Sequence, residues 1–300
     1  MLDKDATDAR SAGVEPIAIL FLMKRRVNAF FRWAYDVGLE AWFLLTMFSH
    51  RLSKDNESLV VSMTSYPARI DGSWVSLESI FRQRFKNFKL VLTLAESQFP
   101  GKKLPLKIRL LVRKGLSILW VKEDNRSWDH LWPAYSLYRG ASVITVDDDK
   151  VFPPTLVGDL VRASEQNPGA IIGSRGWEMK LVGKNLGFKT GWVRATSSTE
   201  SDALFMPPGN GSLYPPGSLA DIAGDTDLMK KLCPRADDVW YWAAARLNGT
   251  ASFCLGLPAH RPVRAQSSTP ALADEDPGTA EFGSVIAHFD LLDDISSHLL

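Results

Sequence analysis

The sequence predicts an α/β fold with a mainly parallel central sheet flanked by helices. Short runs of β-branched and apolar residues alternate with longer segments of helical periodicity between residues 58 and 173. Alternation of this kind is typical of parallel sheets, in which ligands bind beyond the carboxyl ends of the strands. The loops expected to share this rim are Thr64–Asp71, Ala95–Gln98, Glu123–His130 and Asp147–Lys150.

The individual elements follow from local composition. Strands are predicted at Leu59–Met63, Lys89–Leu94, Leu116–Val121, Val143–Val146 and Ala170–Gly173. Helices are predicted at Ser73–Arg84, Leu106–Lys114, Pro133–Tyr138, Val157–Gln166 and Pro234–Gly249. We expect Asp237 or Asp238 to cap the last of these helices, and Asn248-Gly249 to end it. Gly and Pro dominate residues 206–217, which predicts a loop.

Composition excludes one broad class of partner. The chain has 300 residues with 35 basic and 34 acidic side chains, so its net charge of +1 gives no general attraction to nucleic acid. Cys233 and Cys254 lack metal-ligand spacing and fit a reducing compartment, although a disulfide between them stays open. Several of the ten tryptophans fall beside the motifs below, where they either stack on sugar rings or belong to the core.

Residues 16–51 are predicted to form an amphipathic helical segment. The segment lacks the window of about 18 uncharged residues that a transmembrane helix needs, and it lacks the features of a signal peptide. Arg32, Asp36 and Glu40 form one polar stripe, and aromatic and apolar residues fill the rest of the surface. Such a helix lies in a membrane interface, with Lys24-Arg25-Arg26 against anionic headgroups, or packs on protein.

Three consecutive aspartates, Asp147-Asp148-Asp149, directly follow the predicted strand Val143–Val146. Adjacent like charges repel, so a fold that holds them together usually supplies a cation. Oxygen ligands without nearby Cys or His suit Mg²⁺ or Mn²⁺, and a metal on one or two carboxylates is what a diphosphate substrate needs. The alternative is an exposed acidic turn, but the position at a strand end favours the metal site.

Four motifs in a fixed order give the chain a family resemblance. They are Ser62 to Ile70 (SMTSYPARI), Val146 to Asp149 (VDDD), Gly209-Asn210-Gly211 with the following Tyr-Pro-Pro-Gly, and Ala236 to Trp240 (ADDVW). This set resembles nucleotide-sugar glycosyltransferases of the Rossmann-like GT-A fold, in the family-2-like group. Within that group it looks like a bacterial branch whose members mostly lack an assigned acceptor. The resemblance covers roughly residues 58–255.

The resemblance implies a metal site and a base. Asp149 would ligate Mn²⁺ or Mg²⁺, and Asp147 would contact the ribose or the waters of the metal. Many relatives add a late histidine to the metal site, for which His260 is the candidate here. The acidic pair Asp237-Asp238 matches the position of the catalytic carboxylate, with Asp238 as the favoured base, and a base there implies inversion at the anomeric carbon.

The resemblance also implies the substrate contacts. The residues expected around the nucleotide and its diphosphate are Thr64, Tyr66, Arg69, Glu96, Asp124, Arg126, His130, Asp147 and Asp148. Those expected near the donor sugar and the acceptor are Gly209, Asn210, Gly211 and Trp240. The donor is then a nucleotide-diphosphate sugar, with uridine diphosphate favoured, and the acceptor is a hydroxyl of a cell-surface glycan or glycolipid.

The predicted organisation has three parts. Residues 1–57 form the N-terminal segment, residues 58–262 the catalytic domain, with its donor half at about 58–150 and its acceptor half at about 151–262, and residues 263–300 a tail. Residues 265–281 have the composition of a linker. The expected location is the cytoplasm, on the inner face of the plasma membrane. Two alternatives stay open: a nucleotidyltransferase that makes the sugar nucleotide, and a non-catalytic glycan-binding protein.

Overall fold

The structure is a computed structural model that describes residues 33–53, 55, 57–181, 186–196, 199–200, 203–263 and 278–292. It divides into two compact units, residues 1–45 and residues 46–300. The predictions for residues 1–32, including the basic run 24–26, and for residues 265–277 lie outside the described residues. In the first unit, residues 33–45 form helix α1. No helix in the described ranges combines the length and the hydropathy needed to cross a bilayer.

The second unit alternates strands and helices along its first half. Its helices are α2 (Ile70–Phe81), α3 (Leu106–Lys114), α4 (Trp132–Leu137), α5 (Leu156–Gln166), α6 (Thr226–Leu232), α7 (Asp237–Leu247) and α8 (Gly278–Phe289). Its longer strands are β1 (Leu59–Thr64), β2 (Lys89–Ala95), β3 (Leu116–Val121), β4 (Ser142–Val146), β6 (Ile171–Gly173), β11 (Asn210–Tyr214) and β12 (Ser252–Cys254). Two-residue strands are β5 (Lys150–Val151), β7 (Trp177–Glu178), β8 (Val193–Arg194), β9 (Thr199–Glu200), β10 (Leu204–Phe205) and β13 (Arg261–Pro262).

Among the described residues, eight strands form the main sheet in the order β3-β2-β1-β4-β11-β6-β12-β9. Strands β1 to β4 pair in parallel, as do β6 and β12, whereas β11 and β9 run antiparallel to their neighbours. The predicted α/β architecture with a mainly parallel sheet is therefore confirmed. We call the edge at which β1, β2, β3 and β4 end the carboxyl edge.

Most predicted elements are confirmed, with boundary shifts of a few residues. Strand β3 has the predicted bounds, and α2 begins and ends three residues before the prediction. Residues 210–214 are a correction, because they form the buried strand β11 between β4 and β6 instead of a loop. The linker prediction is wrong for residues 278–281, which begin α8.

Helix α8 packs against α7 and takes over the role expected of Asp237 or Asp238. Glu281 on α8 accepts hydrogen bonds from the backbone N–H of Arg235 (3.1 Å) and of Ala236 (2.8 Å), at the start of α7. The capping prediction is wrong in its residue, because Ala236 is the N-cap, although Asp238 Oδ1 accepts from the Val239 N–H within the first turn. Glu281 satisfies these backbone groups, and the two aspartates remain available for other contacts.

Candidate active site

The acidic triplet lies at the carboxyl edge, directly after the buried strand β4. Strand β11 begins at the same edge, because Asn210 pairs with Val146 in the antiparallel ladder. The short strands β5 and β13 pair Lys150 with Pro262, and the N–H of Val263 donates to the Asp149 carbonyl at 2.7 Å. Two distant segments of the chain, β11 and β13, therefore converge on the triplet.

Asp148 is the buried member of the triplet, and its hydrogen bonds link it to the β1–α2 turn and to α2. Its Oδ2 accepts from Ser65 Oγ at 2.6 Å, its Oδ1 accepts from Arg69 Nη1 at 3.1 Å, and its carbonyl accepts from Ser76 Oγ at 2.7 Å. Burial raises the pKa of Asp148 to about 6 despite these contacts. Asp148 therefore ties the triplet to the β1–α2 turn.

Asp147 is held by a lysine and a glycine. Lys150 Nζ lies 2.5 Å from Asp147 Oδ2 and donates to Asn210 Oδ1 at 2.8 Å. Burial alone would raise the pKa of Asp147, but the adjacent Lys150, together with His130 and Arg69, holds it below the ordinary value. A Cβ at Gly209 would overlap the Asp147 carboxyl group, and the Asp147 N–H donates to the Gly209 carbonyl at 2.9 Å. Only glycine fits position 209 with this arrangement.

Asp149 offers the oxygen that best fits a metal. Its Oδ2 accepts from Arg69 Nη2 at 3.2 Å, whereas its Oδ1 is buried without a hydrogen-bond partner among the described residues. Burial, and then the charge of Asp147, raises the pKa of Asp149. No group of three or more His, Cys, Asp or Glu side chains with metal-site geometry occurs in the part of the chain that the structure describes. The unpartnered Asp149 Oδ1 is a carboxylate oxygen of the type that Mg²⁺ or Mn²⁺ binds.

His260 lies beside the triplet but contacts the backbone. Its Nε2 is 2.7 Å from the Asn210 carbonyl oxygen, which also accepts from Ser174 Oγ at 2.6 Å. Burial lowers the pKa of His260 to about 4, so the ring is neutral near pH 7 and donates to that carbonyl. In this geometry His260 fixes Asn210, and Nδ1 is the ring nitrogen left for other contacts.

The acidic pair Asp237-Asp238 forms the first turn of α7, next to His130. Asp237 Oδ2 is 3.3 Å from His130 Nε2, and Asp238 Oδ1 accepts from the Val239 N–H at 3.0 Å. Burial, and then the charge of Asp237, raises the pKa of Asp238 to about 7. Burial also raises the pKa of Asp237, to which Asp147 contributes. His130 lies in the loop that follows β3 at the carboxyl edge, so its contact with Asp237 brings the acidic pair to the edge that carries the triplet.

Burial lowers the pKa of His130 to about 4, so His130 is neutral near pH 7 and its contact with Asp237 is not an ion pair. Tyr241 on α7 fixes the loop that carries His130. Its hydroxyl donates to the Trp128 carbonyl at 2.7 Å and accepts from the Trp132 N–H at 3.2 Å, and its ring stacks on Trp128. The loop and the acidic pair are thus positioned by one helix.

The other predicted contacts are spread along the carboxyl edge. Tyr66 is partly exposed there, and Thr64 donates to the Thr93 carbonyl at 3.0 Å within the sheet. Glu96 pairs with Lys102 at the surface, and exposed Asp124 accepts from the N–H of exposed Arg126 and from Gln98.

Two further predicted residues have clear positions. Gly211 has a φ of +94°, which favours glycine, at an irregularity of strand β11. Trp240 is fully buried against Phe289 of α8, so its ring belongs to the core and is not presented to a sugar.

Sequence reasoning missed the cations and hydroxyls that hold the acids. Ser65 and Ser174 carried no signal of their own, but Lys150 directly follows the triplet and lies three residues from Asp147. Arg69 was predicted to contact the nucleotide, and its pairing with Asp148 and Asp149 was not predicted. The excess of acidic charge in the motif was itself the signal that such cations had to be nearby.

Comparison with known proteins gives weak likenesses. No protein-family model matches the chain, and no curated protein matches it. Among solved structures, the UDP-bound fragment 1–349 of S. aureus TarS has a TM-score of 0.43 and 17% identity, over 68% of this chain and 59% of that fragment. A second structure of TarS 1–349 has a TM-score of 0.42 and 16% identity, over 80% of this chain and 74% of the fragment.

A mannosyltransferase from Pyrobaculum calidifontis, PcManGT in complex with GDP-Man and Mn²⁺, has a TM-score of 0.31 and 16% identity, over 47% of this chain and 46% of its own. Likeness at this level carries no argument about what this chain does. The function proposed for this chain is therefore argued from the geometry of its own residues.

Proposed function

We propose that this protein is an inverting glycosyltransferase of the GT-A type, which transfers a sugar from a nucleotide-diphosphate sugar to a hydroxyl of a glycan or glycolipid. The observation that carries the proposal is the convergence of two acidic groups with different environments at one sheet edge. The triplet is paired with fixed cations, whereas the Asp237-Asp238 pair is half-buried beside a neutral histidine. Glycosyl transfer needs one group to hold a diphosphate and another to accept a proton.

The triplet side suits the departing nucleotide diphosphate. Arg69 and Lys150 bring positive charge to the triplet, and the unpartnered Asp149 Oδ1 fits a divalent metal. A bound Mg²⁺ or Mn²⁺ would offset the charge that develops on the leaving diphosphate. Asp149 would hold that metal, and Arg69 would keep its carboxylate oriented. We propose Tyr66 and Thr64 for the nucleoside, at the end of β1.

The Asp237-Asp238 side suits proton transfer from the acceptor. A sugar hydroxyl is a poor nucleophile until a base takes its proton, and a positioned base contributes ~10²–10⁴-fold in rate. Asp238 is partly exposed and its pKa is raised to about 7, which places the base near the operating pH. As the C1–O bond to the diphosphate breaks, the acceptor oxygen bonds to C1 from the opposite face and its proton passes to Asp238. This sequence inverts the anomeric carbon.

The test is release of nucleoside diphosphate from a panel of nucleotide sugars by the full chain, supplied with Mn²⁺ or Mg²⁺ and glycan or glycolipid acceptors. Asp149→Ala and Asp238→Asn are each expected to lose at least ~10²-fold in kcat/KM. The matched control is Asp159→Asn, because Asp159 is a partly exposed aspartate on α5 that pairs with Arg162. Wild-type turnover in both site variants would contradict the mechanism.

The two alternatives predict different products. A nucleotidyltransferase would form pyrophosphate from a nucleoside triphosphate and a sugar phosphate. A non-catalytic glycan-binding protein would bind glycans without releasing diphosphate from any donor. Neither alternative explains the half-buried Asp237-Asp238 pair, since neither reaction uses a carboxylate whose pKa is raised to about 7.

We further propose that the N-terminal segment contacts the membrane surface on the cytoplasmic side. Within α1 and the turn that follows it, large apolar side chains are exposed, among them Trp33, Tyr35, Trp42, Leu45 and Phe48. Trp and Tyr favour the interfacial region of a bilayer. Flotation of the full chain with anionic vesicles is expected to be lost on removal of residues 1–45. Equal flotation of the shortened chain would contradict the proposal.

A further inference from the structure

The side chain that follows the triplet, Lys150, occupies the middle of the site. Its ammonium contacts Asp147 Oδ2 at 2.5 Å and Asn210 Oδ1 at 2.8 Å. These atoms come from the end of β4 and from the start of β11, which lie next to each other in the sheet. The backbone of Lys150 is fixed as well, because β5 pairs with β13. Lys150 is therefore a cation at a defined position, unlike a mobile surface lysine.

The ammonium of Lys150 has more N–H donors than its two contacts use. A lysine ammonium has three N–H donors, and two of them are engaged by Asp147 and Asn210. Its side chain is 23% exposed, and one donor remains beyond these two hydrogen bonds. The charge of Lys150 acts on Asp149 as well, and an ammonium is a strong partner for the phosphate oxygens of a diphosphate bound at that carboxylate.

The pairing of charges around the triplet also supports a role for Lys150 in binding a diphosphate. Asp148 is satisfied by Ser65 and Arg69, and Asp149 shares Arg69, so Lys150 is the cation that neutralises Asp147. With Lys150 in place, the triplet attracts a divalent metal less strongly than three free carboxylates would, because like charges at short range repel. Part of the positive charge that a diphosphate needs is already built into the protein.

We propose that Lys150 is a resident cation for the leaving diphosphate, which binds it together with the metal and makes nucleotide binding only partly dependent on metal. The proposal deepens the function proposed above and rests on it. It assigns Lys150 two measurable effects of opposite sign: neutralising Lys150 weakens nucleotide binding in the absence of metal, and it strengthens binding of metal in the absence of nucleotide. A lysine that only neutralised Asp147 would also strengthen metal binding when it is removed, so the effect that distinguishes the proposal is the weaker nucleotide binding in the absence of metal.

The experiment uses the full chain and two titrations. Calorimetry measures the binding of UDP and GDP with Mn²⁺ and with EDTA, and electron paramagnetic resonance measures the binding of Mn²⁺ alone. Lys150→Met is expected to weaken binding in EDTA by ~10–100-fold, which is the loss of one charged hydrogen bond. The same variant is expected to bind Mn²⁺ several-fold more tightly. Lys150→Arg keeps the charge and should retain most of the binding in EDTA.

The matched control is Lys231→Met, which removes the same charge from an exposed position on α6 and should change neither titration. If the wild-type chain binds a nucleotide and Lys150→Met binds it equally well in EDTA, the role of Lys150 is refuted and the proposed function stands. Weaker binding of Mn²⁺ by Lys150→Met would also refute it. If the wild-type chain binds no nucleotide with or without metal, the proposed function fails as well.

Discussion

Substitution of Gly209 by alanine tests the geometry of the site with the smallest possible change. The added Cβ would overlap the carboxyl group of Asp147. The backbone has little freedom to separate the two residues, because the Asp147 N–H donates to the Gly209 carbonyl at 2.9 Å. Since atoms in contact sit about 3.5 Å apart, the carboxylate must move by about 1 Å or more. That movement breaks its contact with Lys150.

A displacement of about 1 Å in a substrate-positioning group costs ~10²-fold in rate, so we expect Gly209→Ala to lose about this factor in kcat/KM. The assay is the initial rate of nucleoside diphosphate release, with Tm recorded in parallel. The clash is confined to one side chain, so Tm should fall by less than ~10 °C. Gly140→Ala is the control, because a Cβ at Gly140 meets open space. Unchanged kcat/KM in Gly209→Ala would refute the described packing of Asp147.

Two further predictions concern the pH profile and the stability of the core. A base whose pKa is raised to about 7 must lose its proton to act, so activity should rise with pH to half of its maximum near pH 7. Asp237→Asn should shift this rise to lower pH, because the charge of Asp237 raises the pKa of Asp238, and an unshifted profile would count against a coupled pair. Lys114→Met should lower Tm by ~10 °C, because it leaves the buried Glu78 with Arg82 alone. Lys103→Met at the surface should leave Tm nearly unchanged, and equal Tm values for the two variants would contradict that reasoning.

The fold could be predicted from sequence wherever local pattern and tertiary environment agree. Strands β1 to β4 are short apolar runs, and their parallel pairing follows from the helices between them. Strand β11 escaped prediction because its Gly and Pro neighbours signal a loop, although the sheet needs a strand between β4 and β6. Tertiary context overrode local propensity there.

The acidic residues of the site were predictable from the sequence, whereas the residues that pair with them were not. Asp147 to Asp149 and Asp237-Asp238 stand at element ends, where sequence reasoning directs attention. Their roles depend on residues far along the chain, such as Arg69 for Asp149 and Glu281 for the start of α7. Local patterns carry no information about such long-range pairs. The same limit explains Trp240, which lies beside the acidic pair in sequence but in the core in space.

The most direct test of the account is a calorimetric titration of UDP and GDP into the full chain with Mn²⁺, compared between the wild type, Asp149→Ala and Asp159→Asn. The central claim is that a nucleoside diphosphate binds at the triplet. We predict binding of one of these nucleotides at one site per chain, weakened ~10–100-fold in Asp149→Ala and unchanged in Asp159→Asn. Equal affinity in Asp149→Ala and the wild type would contradict the claim.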